Sequence, residues 1–124
     1  MPNWMKITLV AGAGLVLGAL VWAISVPLTG QREPFDGPIL YYAVSTFFAG
    51  ALSAWPSPRH WWIALLSVYL GQHLYAFLAY PDTRAWFLFG LFVNALIPTW
   101  LFAAAGALLT YLVSRCLAKR WSGP

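Results

Sequence analysis

Gln72 and His73 stand side by side within an apolar run, residues 61–80. An imidazole beside a carboxamide can hydrogen-bond between helices, ligate a metal or haem, or move a proton. What stands near it decides which. At helical spacing Tyr69, Gln72, His73, Ala76 and Tyr80 form one stripe. Upstream, Tyr42, Ser45, Thr46, Ala49 and Ser53 share a face; downstream, Asn94 has Gly90 a turn before it and Pro98 a turn after. The candidate ligand-binding or polar-layer residues are therefore Tyr42, Ser45, Thr46, Tyr69, Gln72, His73 and Asn94.

Most chemistry fails for want of partners. A metal centre needs several His, Cys or carboxylate ligands, and His73 is alone inside its run. A bis-histidine haem fails on distance, since His60 and His73 lie about 20 Å apart along one helix path. Ser45 could meet His73 as a nucleophile, but no buried acid would orient the imidazole. No catalytic residue, cofactor or metal is expected, and the chain is read as a non-enzyme. Two uses remain: hydrogen-bonded glue between helices, or a pocket for a neutral or weakly polar solute.

The elements that carry these residues follow from composition. Of 124 residues, 61% are hydrophobic and 8% charged, where a soluble domain carries about 25% charged residues. Eight Trp reinforce the reading, because Trp favours the membrane interface. Four apolar runs, 5–27, 38–55, 61–80 and 86–113, approach or exceed the ~20 residues of a membrane-crossing helix. Segments rich in Pro, Gly and charge separate them, at 30–38, 55–60 and 80–84. The first run is longer than the roughly 7–15 apolar residues of a secretory signal and reads as a permanent helix. The fourth run would extend about 42 Å if straight, against ~30 Å of hydrocarbon, so it should bend or tilt, with Pro98 as the kink point. The expected fold is all-α: a four-span transmembrane helix bundle forming one integral membrane domain, residues 1–124.

The charges set the expected orientation. Lys6, Arg59, Arg115, Lys119 and Arg120 fall on one side of a four-span path. Arg32 and Arg84 fall on the other, with Glu33, Asp36 and Asp82. By the positive-inside rule both termini are cytoplasmic. Trp4, Trp55, Trp61, Trp62 and Trp121 then form an inner aromatic belt, and Trp86 an outer anchor. His60, beside Arg59, is expected to face headgroups. The net charge of +4 is spread over span ends, so it marks topology and no nucleic-acid partner is expected. Cys116 is the single cysteine and reads as a reduced thiol at the cytoplasmic edge, with lipidation as the alternative.

Counting ~1.5 Å per residue from the outer ends puts His73, Asn94, Ser45 and Thr46 about 10–12 Å deep. Three spans thus contribute to one polar layer in the outer half. Helix packing is assigned to small residues, Gly14, Gly18 and Gly50, with more at 103–107. The Gly14 and Gly18 pair reads as contact with a neighbour in the same bundle, with dimerisation as the alternative. The bundle should be tight on the inner side and open outside.

Two functions fit. One is a non-enzymatic accessory or structural subunit of a membrane complex, such as one in a bacterial inner membrane, docking through its aromatic lipid-facing surface. The other is a small oligomeric transporter or channel for a neutral or weakly polar solute. Expected partners are the lipid bilayer and a membrane protein or further copies of this chain. A cysteine placed at Gln31 or Thr83 should react with an impermeant reagent added outside, and one at Ser57 should not. Labelling confined to position 57 would reverse the orientation.

Overall fold

The structure, a computed structural model, describes residues 1–96 and 98–123. Every regular element among these residues is helical: α1 (Asn3–Thr29), α2 (Ile39–Ala54), α3 (Trp61–Ala79), α4 (Phe87–Leu96) and α5 (Leu101–Trp121). Short 3-10 turns at Pro34–Asp36, Pro58–His60, Pro81–Trp86 and Pro98–Trp100 join them. Each turn opens on proline, whose fixed φ suits a helical start and whose missing N–H would go unused there.

The helix ends have identifiable causes. Gly30 closes α1 in the left-handed conformation at φ 74°, donating its N–H to the Val26 carbonyl at 2.9 Å. Thr83 returns its hydroxyl to the Tyr80 and Ala76 carbonyls, and Arg84 Nε donates to the Phe77 carbonyl at 2.8 Å. The C-terminal carbonyls of α3 are thereby satisfied by a cation where the helix dipole favours one.

Three segments are long and apolar enough to cross a membrane: Asn3–Thr29, Pro58–Ala79 and Leu101–Trp121. α2 is apolar but shorter, at 16 residues, because Pro38 precedes it and Pro56 follows within two residues of its end. The fourth apolar run is not one bent helix. It divides into α4 and α5 around the turn that Pro98 opens, and α5 continues past residue 113 to Trp121. Ile97 lies outside the described residues.

The tightest packing joins alternate helices rather than consecutive ones. α1 lies most extensively against α3, and α2 against α5. Both pairs run parallel: Gly14 meets Ser67 while Trp22 meets Tyr80, and Tyr42 meets Phe102 while the Ala51 carbonyl accepts from Thr110. Glycine makes this approach possible. A Cβ on Gly18 would overlap the Val68 carbonyl, and one on Gly71 the Leu15 backbone. Gly50 stands likewise against the Ala103 carbonyl and Gly106 against that of Phe47. The buried clusters are correspondingly small-sided: Val10, Ala54, Ala64 and Ala107, then Val21, Ala49, Val68 and Ala103. Large apolar side chains point outward, as lipid permits.

Gly18→Val and Gly106→Val should each destabilise the protein by about 1–3 kcal/mol, since the obstacle is backbone. Gly12 has open space around it, so Gly12→Ala should leave stability unchanged or raise it by up to ~1 kcal/mol. Thermal unfolding in mild detergent would check the ranking.

Candidate functional site

α3 and α4 form an antiparallel hairpin closed by the Pro81–Trp86 turn. Phe77 packs edge-on against Phe87, with ring centroids 5.0 Å apart. Two turns deeper, Asn94 Nδ2 stands 3.1 Å from His73 Nε2. The other ring nitrogen, Nδ1, lies 3.0 Å from the Tyr69 carbonyl. A carbonyl only accepts, so Nδ1 carries the proton and Nε2 accepts from the Asn94 amide. Both ring nitrogens are thus engaged, and the Asn94 side-chain carbonyl oxygen has no hydrogen-bond partner among the described residues. The Tyr69 hydroxyl donates to the Leu91 carbonyl, tying the two helices a second time.

The other sequence-chosen residues divide. Gln72 is buried on the α3 face toward α2, where its side chain and that of Thr99 interact with the Tyr42 hydroxyl. Tyr42 is itself buried, its ring edge-on to Phe102 at 6.1 Å. Thr46 is fully buried, but its hydroxyl donates to the Tyr42 carbonyl at 2.5 Å, one turn back on its own helix. Ser45 does not join the layer. It is half-buried in a groove between α1 and α2 beside Tyr41, and its hydroxyl donates to the Tyr42 carbonyl at 3.3 Å. One residue of helix is 100° of rotation, which separates Ser45 from the face shared by Tyr42, Thr46 and Ala49. His60 also departs from expectation. It is buried, with Nδ1 2.8 Å from the Ser57 hydroxyl, because the Pro58–His60 turn folds the imidazole inward.

His73 and Asn94 form the floor of a cavity of about 480 Å³. Its walls are aromatic: Trp22 from α1, Phe77 from α3, then Trp86 and Phe87. Glu33, Asp82 and Thr83 also line it. Arg32 binds Asp82 in a bidentate pair, Nη2 to Oδ2 at 2.8 Å and Nη1 to Oδ1 at 3.2 Å, which ties the loop after α1 to the turn after α3. The Arg32 guanidinium also covers the Tyr80 ring, 4.3 Å from its centroid. Hydrogen bonding to Arg32 holds the Asp82 carboxyl below its usual value. Burial, and then the neighbouring Asp36, pushes the Glu33 carboxyl above its own. Sequence reading missed Trp22, Glu33 and Asp82. The acids were legible as loop charges, but only the folded loops bring them to the cavity that His73 occupies.

No protein-family model matches the chain, and no solved structure matches it. Among curated proteins it is 40% identical over 68 residues to Organic cation/carnitine transporter 7 of Arabidopsis thaliana. The match takes in 55% of this chain and 13% of that protein's length.

Asn94→Leu should leave His73 Nε2 without its donor and cost about 1–3 kcal/mol. His73→Leu with Asn94→Leu removes both partners and should recover most of that loss, because no buried polar group is left unpaired. A double-mutant cycle by chemical or thermal unfolding reads the difference. A loss in the double variant equal to the sum of the two single losses would mean that the contact carries no coupling.

Proposed function

We propose that this chain is a four-span membrane protein that binds a small organic cation or zwitterion in the cavity above His73 and Asn94, and works as an oligomeric transporter. The arrangement of that cavity carries the reading: four aromatic walls, two carboxylates and a hydrogen-bonding floor. Aromatic faces attract a desolvated cation by about 2 kcal/mol or more in favourable cases. Glu33 and Asp82 supply the negative potential, and Arg32 neutralises only one of them directly. Asn94, with its side-chain carbonyl oxygen, offers hydrogen bonding to a hydroxyl or amide at the far end. The partial likeness to an organic cation/carnitine transporter supports the same class of solute.

α4 and α5 together make the fourth span, the whole chain acts as one integral membrane domain, and both termini face the cytoplasm by the positive-inside rule. The cavity then opens to the outer face. α2 rises only about 24 Å, a mismatch met by local bilayer thinning. No catalytic step is assigned, and no nucleic acid is a partner.

A second reading is favoured by α4. It has no buried residue in the isolated chain, and Leu88, Phe89, Phe92 and Leu96 stand exposed. Such a face suits either a further copy of the chain or a larger membrane partner that this protein serves as an accessory subunit. Purification in mild detergent separates the two: a homogeneous homo-oligomer supports the transporter, a stoichiometric foreign subunit the accessory role.

Trp22 and Trp86 report directly on the cavity. Choline and carnitine should change tryptophan fluorescence saturably, and the neutral carbon isostere of choline should not. Glu33→Gln should weaken choline binding by about tenfold, as expected for losing one nearby charge at intermediate dielectric. Binding should strengthen as pH rises through the raised Glu33 value, since only the ionised carboxylate attracts the cation. Absence of saturable binding by both choline and carnitine would remove the reading.

A further inference from the structure

At the opposite end of the protein the charges are of one sign. Lys6 near the start of α1, Arg59 in the turn before α3 and Arg115 in α5 line a second cavity of about 450 Å³. No carboxylate lines it. All three acidic residues of the chain belong to the other end, in the loops that hold the Arg32–Asp82 pair. Three separate elements converge here, so the charge concentration is a product of the fold and not of a basic run.

The cavity is held in shape by polar contacts. Arg59 Nη2 donates to Asn3 Oδ1 at 3.3 Å, joining the turn to the first helix. Arg115 Nη1 donates to the Tyr111 hydroxyl at 3.1 Å, which aligns the guanidinium with a second potential donor. Ser57, whose hydroxyl pairs with the buried His60, lines one wall. Among the described residues no acid neutralises the remaining guanidinium N–H groups or the Lys6 ammonium.

A third concavity, about 370 Å³, adjoins it and shares Pro58 and Ser114. This one is apolar. Trp55, Leu109, Val113 and Leu117 line it, so it runs along α5 away from the basic end. A basic cavity continuous with an apolar groove matches one ligand shape, an anionic headgroup with acyl chains. Arg provides bidentate donors to phosphate oxygens, Lys a point charge, and basic pockets between helices suit such headgroups.

We propose that Lys6, Arg59 and Arg115 form a binding site for the phosphate of an anionic phospholipid, whose acyl chain lies in the groove between Trp55 and α5. The site is separate from the His73 cavity and stands whether or not that cavity takes a cation.

The test uses the full chain in mild detergent, with native mass spectrometry and thermal-shift titration. Phosphatidylglycerol should bind saturably at one site, and phosphatidylcholine of the same chain length at least about tenfold more weakly. Replacing the three cations together, Lys6→Gln with Arg59→Gln and Arg115→Gln, should lower phosphatidylglycerol affinity by at least about tenfold. Lys119→Gln with Arg120→Gln removes charge from the same end but outside the cavity, and should change it less than about twofold. Val113→Ser with Leu117→Ser should weaken the lipid and leave any inorganic phosphate binding unchanged. Circular dichroism confirms folding, and Arg59→Gln alone, an exposed single change, should still show about a threefold loss or more. Equal losses in the two charge variants would overturn the site in favour of a diffuse surface field. Equal binding of the two lipids would overturn the anionic requirement. Full displacement by inorganic phosphate would overturn the lipid in favour of a free phosphate ligand.

Discussion

Backbone contact through glycine sets how these helices can assemble. In lipid, burying an apolar side chain gains little, because the tails outside are as apolar as the helix opposite. What holds two helices together is close van der Waals approach, and only small residues permit it. Gly14, Gly18 and Gly71 bring α1 onto α3; Gly50 and Gly106 bring α2 onto α5. Each pair is parallel, so the connection between its members must cross the length of the protein through an intervening helix. The loops follow from that requirement, and so does the meeting of α1 and α3 ends beneath the Arg32–Asp82 pair.

α4 is the element left out of this packing. Its glycine does not bring it onto a neighbour's backbone, since a Cβ on Gly90 would meet open space. It is held instead by hydrogen bonds and rings: His73 with Asn94, Tyr69 with Leu91, Phe77 with Phe87. Side-chain bonds hold helices further apart than backbone contact does. The separation between α4 and the α1–α3 pair is the aromatic cavity. Polar residues therefore serve two ends at once, satisfying one another within an apolar body and keeping a space open above themselves.

Charge completes the asymmetry between the two ends. One end combines carboxylates with two arginines that are already engaged, one by Asp82 and one by helix carbonyls. The other end carries only cations. A cavity lined by carboxylates and a cavity lined by cations are thus separated by the length of the protein. Neither needs a buried charge, which would be costly at membrane depth.

The helical class, the apolar runs and their punctuation could be read from the residues alone, because length and the placement of Pro, Gly and charge are one-dimensional properties. Pro98 was legible as an interruption, although not as a division into two helices. The depth match of His73 with Asn94 was legible too, since helical rise can be counted from a tight turn. Tertiary structure decided the rest. The pairing of alternate helices was hidden because these helices are apolar on every side, so periodicity marks no buried face. For the same reason Ser45 could not be told from Thr46: a rotation of 100° separates a groove beside Tyr41 from the centre of the protein. His60 looked like a surface residue until its turn buried it against Ser57. Trp22 and Glu33, from α1 and the loop after it, meet Asp82, from the turn after α3, at one cavity, and the glycine-mediated approach of α1 to α3 brings them there.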